Sequence, residues 1–177
     1  MGSLAMSPAP APVALDEVKA FLRAGHNGED GLIAGFIRSA TATCEAFTGL
    51  ALIERAAAEM MQASPRWARL GLTPVRSIEA VEALAPDGTA TPLGVDGYAV
   101  DIDASGDGWV RVFGHTGRVR VSFTAGLAAD WNGVPEPLRQ GIVRLAAHLY
   151  AARGESEGPP PASVAALWRP WRRTRLA

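Results

Sequence analysis

The spacing of apolar residues predicts three amphipathic helices, two near the N-terminus and one near the C-terminus. In the stretch LDEVKAFLR, Val18, Phe21 and Leu22 stand at the i, i+3, i+4 positions that share one helix face. Asp16 supplies an acidic residue for the cap or the first turn. This stretch is therefore predicted to form a short helix with one buried side.

The second helix has the clearest pattern and covers EDGLIAGFIRSATATCEAFTG. Gly49 follows the pattern where glycine commonly ends a helix, because glycine adopts the left-handed conformation without steric cost. Cys44 has no histidine or acid beside it at any motif spacing, which favours a packed core thiol over a nucleophile. The predicted buried stripe consists of Leu32, Ile33, Phe36, Ile37, Ala40, Cys44 and Phe47.

The third helix is predicted over VPEPLRQGIVRLAAHLY. Pro135 and Pro137 fall in its opening turn, where a missing backbone N–H costs little. Its apolar stripe consists of Leu138, Ile142, Leu145 and Leu149.

Between the second and third helices the apolar period changes to two, which predicts half-buried strands with one polar face. Two alternating stretches carry this pattern, and residues 77–84 and 109–113 also have strand character. Residues 51–62 are ambiguous: their Ala, Glu and Met content favours a helix, whereas their place directly after a capped helix permits a strand. The alternating apolar residues are Tyr98, Val100 and Ile102 in one stretch, and Val119, Val121 and Phe123 in the other.

These elements predict an α+β fold that is mainly α. The expected architecture is a helical bundle of two N-terminal helices and one C-terminal helix, with an inserted small antiparallel sheet or hairpin and an extended C-terminal tail. Residues 1–13 are Pro/Ala-rich and predict a flexible arm, residues 14–153 the folded domain, and residues 154–177 a Pro-rich linker with a Trp/Arg-rich tail.

The charge balance limits the classes of function. With 17 basic and 18 acidic residues, the formal net charge of −1 argues against a surface built as a whole to hold nucleic acid or an anionic membrane. The single cysteine excludes an internal disulfide. No apolar run is long enough to span a bilayer, and the first residues lack the features of a signal peptide, so cytosolic synthesis is expected.

Catalytic signatures are missing from the sequence, so no enzymatic activity, metal or cofactor is predicted. His26, His115 and His148 are widely separated, and no phosphate loop, nucleophile elbow or C-x-x-C is present. The stretch DIDASGDGWVRV begins like a calcium loop, but its twelfth position is Val112, where a bidentate glutamate should stand. A Gly/Asp turn between two strands explains the same residues.

The C-terminal stretch WRPWRRTRLA combines tryptophan and arginine, the residue types that dominate binding hot spots. An interface anchor is therefore the favoured interpretation. Two alternatives stay open: arginine and tryptophan could contact DNA, or Trp168 could fold back on apolar surface of the body. The candidate binding residues are Trp168, Arg169, Trp171, Arg172, Arg173 and Arg175.

Four motifs in order resemble the phage head–tail connector family, also called adaptor or head-completion proteins, of tailed siphophages, prophages and alphaproteobacterial gene transfer agents. The first is an E-x-F-T-G signature at Glu45, Phe47, Thr48 and Gly49. LTPVRSIEAVEAL, VRVSFTAGL and VPEPLRQGIVRLAAHLYAARGE resemble the family's strand lead-in, its T-A-G strand end and its closing helix. The resemblance covers roughly residues 13–155, with Ala56, Ala57 and Ala58 departing from the usual β-branched or aromatic residues.

The resemblance implies a structural protein of the virion or phage-like particle, at the head–tail interface, that is synthesised in the bacterial cytoplasm. It implies a homo-oligomeric ring, usually of twelve copies, that lies under the portal ring, surrounds the passing double-stranded DNA and meets a tail-side stopper or head-completion protein. It also implies no cofactor, no membrane, a strand for residues 51–62, and portal docking through the C-terminal residues. The alternative function is a small DNA-binding or packaging accessory protein that uses the Arg/Trp-rich tail.

Overall fold

The computed structural model describes residues 3–6, 15–23, 28–152 and 158–173. These residues form two compact units. One unit contains the described residues of 15–52 and 128–173 and is helical, and the other contains those of 3–6 and 53–127 and consists of strands.

The helical unit contains the three helices that the apolar spacing predicts. They are α1 (Leu15–Leu22), α2 (Asp30–Thr48) and α3 (Glu136–Ala151). A further short helix, α4 (Ala162–Trp168), follows, and 3₁₀ turns lie at Trp131–Gly133 and Arg169–Trp171. Helix α3 packs on α1, α2 and α4, which gives the unit a core centred on α3.

The E-x-F-T-G signature forms the end of α2. Gly49 has a φ of 73°, and its N–H donates to the carbonyl oxygen of Glu45 at 2.8 Å. The Glu45 carboxylate accepts from the N–H of Leu52 at 2.8 Å, and the Thr48 hydroxyl donates to the carbonyl of Cys44 at 2.7 Å. The signature therefore satisfies the polar groups where the chain leaves the helix.

Two residues that the sequence assigned to buried helix faces are exposed. Phe21 is 58% exposed and Leu32 is 52% exposed, so the assignment was wrong for both. For Leu32 the reason is the helix face: the next residue, Ile33, is 1% exposed, so Leu32 lies beside the covered side of α2 and not on it. The centre of the α2 stripe is buried as expected, at Ile33, Ile37, Ala40 and Cys44.

Burial makes Cys44 an inert thiol. The side chain is fully buried, and desolvation followed by the charge of Glu45 raises the pKa of the thiol far above its usual range. Because the thiolate is the reactive form, we expect a thiol reagent at pH 8 to leave Cys44 unmodified in the folded protein and to label it quickly in denaturant. Rapid labelling without denaturant would contradict the burial of Cys44.

The second unit contains eight antiparallel strands in two sheets. The five-stranded sheet has the order β1-β2-β8-β4-β5 and the three-stranded sheet the order β3-β7-β6. The strands are β1 (Ser3–Met6), β2 (Arg55–Gln62), β3 (Ala68–Arg69), β4 (Val75–Leu84), β5 (Ala90–Pro92), β6 (Tyr98–Ile102), β7 (Gly108–Val112) and β8 (Arg118–Ala125).

The two sheets show that the expected mainly helical bundle with a small inserted sheet was wrong. The described residues are 38% helical and 31% strand, and the strands have a core of their own. That core joins residues of both sheets, including Val110 and Val112 on β7 with Val121 and Phe123 on β8. The sequence underestimated the β content because β1, β3 and β5 have four residues or fewer, too few to show a period.

Residues 51–62 resolve into a strand from Arg55 onwards. Strand β2 pairs with β8 on one side and β1 on the other, and these tertiary pairings override the helical propensity of its alanines. Ala57 is buried directly opposite Phe123, where a larger side chain would compete for the same space. Residues 3–6 of the proposed N-terminal arm form β1, whereas residues 7–13 lie outside the described residues.

The expectation for Tyr98, Val100 and Ile102 was only half right. These residues form the strand β6, but Val100 and Ile102 are exposed and not half-buried. Strand β6 lies at the edge of its sheet, and core positions on the neighbouring strand, Val110 and Val112, are covered instead.

The acidic loop between β6 and β7 is built by turn chemistry. One carboxylate oxygen of Asp103 accepts from the N–H groups of Ser105 and Asp107, and the other accepts from Trp109 Nε1 at 2.9 Å. Gly106 has a φ of 78°, which favours glycine. The resemblance to a calcium loop therefore follows from the needs of the turn.

Candidate partner-binding segment at the C-terminus

The C-terminal candidate residues begin in α4 and continue through the 3₁₀ turn. Pro161 precedes the helix, and Pro170 cannot donate the hydrogen bond that would continue it. The segment packs on α3 and α2 within the helical unit. Residues 158–173 are thus a folded part of that unit, and Arg175 lies outside the described residues.

Trp168 is fully buried and fixes the segment to the unit. Its indole Nε1 donates to the carbonyl oxygen of Leu138 on α3 at 3.4 Å. Its ring lies 5.8 Å from that of Phe47 on α2, in a tilted arrangement. The fold-back interpretation therefore describes the position of Trp168, and any partner would meet the residues around it.

Gly141 provides the space for the Trp168 indole. A Cβ atom at this position would lie 2.0 Å from Trp168 Nε1. A glycine inside a helix costs stability relative to alanine, so its presence in the stretch LRQGIVRL has a packing reason. That cost was the signal in the sequence that could have revealed the binding site for Trp168.

We expect Gly141→Ala to displace the Trp168 indole and to lower the free energy of unfolding by about 1–3 kcal/mol. Gly35→Ala is the matched control: it is the same change inside α2, where the new Cβ would meet only Arg38 Nη2 at 3.8 Å. Gly35→Ala should be neutral or stabilising. Thermal unfolding followed by circular dichroism compares the two, and equal melting temperatures would contradict the proposed role of Gly141.

The basic residues after Trp168 lie beside the end of α2. The backbone N–H of Arg173 donates to the carbonyl oxygen of Thr48 at 2.8 Å, and the guanidinium of Arg172 lies 5.7 Å from the centre of the Phe47 ring. Arg169 and Arg172 are exposed, whereas Trp171 and Arg173 are partly exposed. The structure thus leaves four of the candidate residues exposed or partly exposed within residues 169–173 and buries a fifth, Trp168.

A second cluster of binding-type residues lies in the strand unit and escaped the sequence analysis. The guanidinium of Arg111 on β7 lies 4.6 Å from the centre of the Trp67 ring and 5.1 Å from that of Phe113. Trp67 and Phe113 are themselves exposed. We call Trp67, Arg111 and Phe113 the arginine clamp; only strand pairing brings these residues together from distant parts of the sequence.

The described ranges contain no group of three or more His, Cys, Asp or Glu side chains that could hold a metal ion. Within the same residues, no helix is long and apolar enough to cross a membrane.

No protein-family model matches the sequence, and a comparison with curated proteins finds no significant relative. The solved structures do contain similar chains. A chain in the neck of an empty gene transfer agent (GTA) particle, computed with C6 symmetry, has a TM-score of 0.81 and 28% sequence identity. The match covers 99% of the present chain and 97% of the other. The present chain resembles a neck protein.

Two further structures agree with this similarity. A chain in the virion of the native gene transfer agent particle has a TM-score of 0.77 and 26% identity, over 100% of the present chain and 97% of the other. A chain in the neck of the native particle, computed with C12 symmetry, has a TM-score of 0.76 and 26% identity, over 99% and 97%. These similarities support a structural protein at the neck of a phage-like particle.

Proposed function

We propose that this protein is a head–tail connector of a phage-like particle, and that its copies form a closed ring below the portal ring. The observation that carries the proposal is the similarity to a gene transfer agent neck chain over almost the whole length of both chains. The ring, of twelve copies in this proposal, extends the DNA channel and presents a surface to a tail-side stopper or head-completion protein. Its role is mechanical and requires no cofactor.

The C-terminal segment is proposed to bind the portal ring. Burial of Trp168 between α2 and α3 anchors the segment, so the described residues that follow it are held in a fixed position on the helical unit. A segment that is ordered before binding loses less conformational entropy on association. The proposed contact residues are Arg169, Trp171, Arg172, Arg173 and Arg175. Buried Trp168 fixes the position of the segment that carries them.

The chemistry of this surface suits portal carboxylates. Residues 162–177 contain no acidic residue, and the arginine guanidinium can bind a carboxylate through two parallel hydrogen bonds. A contact of this size is modest in one copy, but repetition around a ring increases the overall affinity through avidity.

The test is co-sedimentation of the full-length protein with the portal ring encoded beside its gene. Arg169→Glu with Arg172→Glu should abolish co-sedimentation while leaving the fold intact, because both side chains are exposed. The matched control, Arg38→Glu with Arg144→Glu, makes the same charge change at exposed positions of α2 and α3. The control protein should bind the portal like the unchanged protein.

The same experiment separates the connector from a DNA-binding accessory protein. If the full-length protein does not co-sediment with the portal but binds duplex DNA in a gel-shift experiment, with an affinity that falls steeply as salt rises, the accessory function is supported and the connector proposal fails. The few exposed arginines of the segment would neutralise only a few phosphates, which favours the protein partner.

A further inference from the structure

The arginine clamp is an exposed binding-type surface that the portal contact leaves unused. Trp67 is 43% exposed and Val95 is 82% exposed. A hydrogen bond connects the segment of Val95 to the clamp, because the N–H of Phe113 donates to the carbonyl oxygen of Gly97, two residues after Val95. Arg111 Nε has no hydrogen-bond partner, and Arg111 makes no ion pair among the residues that the structure describes. Exposed apolar surface around an arginine that is already held in place is typical of a protein interface.

The outer face of the five-stranded sheet carries a groove of about 400 Å³. Its floor is low because small residues stand in register on neighbouring strands: Ala5 opposite Ala58, and Ala58 opposite Ser122. The next set of paired residues across the sheet has longer side chains. Met60 stands opposite Arg120 there, and Arg120 forms an ion pair with Glu82 at 2.8 Å. The groove is lined by Ala5, Met6, Ala56, Ala57, Ala58, Glu79, Ser122 and Phe123.

Glu79 is the acidic group of this groove. It lies at a bulge in β4, between the pairings of Ile78 and Ala80, and a bulge redirects a side chain. Its carboxylate accepts from the Ser77 hydroxyl at 2.6 Å and makes no ion pair within the described part of the chain. An apolar groove with one carboxylate is the chemical complement of an aromatic cluster with one arginine.

The clamp and the groove lie on opposite outer faces of the strand unit. Arg111 alternates along β7 with the core residues Val110 and Val112, so it points away from the core. Ala58 likewise alternates with the core residue Ala57 on β2 of the other sheet. A ring of more than two copies requires two different surfaces on each copy that fit one another, and this pair of faces meets that requirement.

We propose that the arginine clamp of one copy binds in the groove of the next copy around the ring, with Arg111 paired to Glu79. The aromatic rings of the clamp cover the apolar groove floor. This inference rests on the ring of the proposed function and names the contact that closes it. The occupant is a second copy and not DNA, because the groove supplies both the apolar floor and the carboxylate that the clamp requires, whereas Asp101 on the neighbouring strand β6 would repel phosphates.

Cysteine crosslinking on the assembled ring tests the contact directly. The double variant Val95→Cys and Met6→Cys places one thiol at the rim of the clamp and one at the groove wall, both at exposed positions. A short bismaleimide should join successive copies into a ladder of covalent oligomers on the portal ring. The control pair, Val95→Cys with Asp87→Cys at the exposed β4–β5 turn, should stay at monomer mass, and buried Cys44 should not react.

Charge exchange provides a second readout. Arg111→Glu and Glu79→Arg should each reduce the number of copies retained on the portal by about tenfold or more, and the double exchange should restore it. Arg66→Glu, an exposed change beside the clamp, should have no effect.

The outcomes separate this inference from the proposed function. Full retention of Arg111→Glu on the portal, or a double variant that stays at monomer mass in an assembled ring, overturns the clamp contact and leaves the connector function standing. Failure of the unchanged protein to bind the portal overturns both.

Discussion

Leu145→Asp is expected to abolish cooperative folding of the helical unit. Leu145 is buried on α3, the helix against which α1, α2 and α4 pack. An aspartate there would bury an unpaired charge, which costs about 3–5 kcal/mol, a large part of the stability of a typical domain. We expect insoluble protein, or loss of the cooperative thermal transition in circular dichroism.

The control for this change is Leu32→Asp on α2. Leu32 is 52% exposed, so its aspartate stays in contact with water and the melting temperature should change little. The sequence pattern treats the two leucines alike, and the structure predicts opposite outcomes. A Leu145→Asp protein that melts like the unchanged one would show that the core of the helical unit is assigned wrongly.

Gly126→Ala is expected to disrupt the strand unit by more than about 3 kcal/mol, at the upper end of overpacking effects. A Cβ at position 126 would lie 2.3 Å from both the Cα and the backbone nitrogen of Glu54. The obstacle is backbone and cannot rotate away as a side chain could. The N–H of Gly126 also donates to the carbonyl of Pro74 at 2.8 Å, so the glycine is held from a second side.

Gly94→Ala is the matched control in the same unit. Gly94 has a φ of −63°, and a Cβ there would meet no atom within 4 Å. Its melting temperature should stay the same or rise slightly. The measurement is the midpoint of urea unfolding for both variants. Similar midpoints would mean that Glu54 and Gly126 are not in close backbone contact.

The motifs that resembled the connector family have physical reasons in this structure. Gly126 ends the T-A-G stretch because the chain at Glu54 approaches too closely for any side chain. Glu45 and Gly49 close the end of α2, and Phe47 of the same signature contacts Trp168. Each motif is a short run of consecutive residues and could therefore be recognised in the sequence, although Gly126 and Phe47 meet residues that are far away in the chain.

The helices followed directly from the sequence because one period of 3.6 residues, repeated over 16 or 19 positions, is a strong local signal. The end of α2 was equally readable, since Gly49 carries its own conformational preference. The alternating stretches 98–102 and 118–125 were recognisable as strands for the same reason. All of these features depend on residues that are close in sequence.

The remaining features depend on residues that are far apart in sequence. The β content was underestimated because the short strands β1, β3 and β5 form only through pairing with distant partners, and β2 is likewise held as a strand by β1 and β8 against its own propensity. An exposed anchor was the favoured interpretation of Trp168, and only its packing beside Gly141 decided for the fold-back alternative. The arginine clamp exists only because β3 and β7 pair. Local periodicity specifies which face of a helix or strand is apolar. Whether that face is buried depends on which other elements pack against it, and this is decided by contacts between residues that are far apart in sequence.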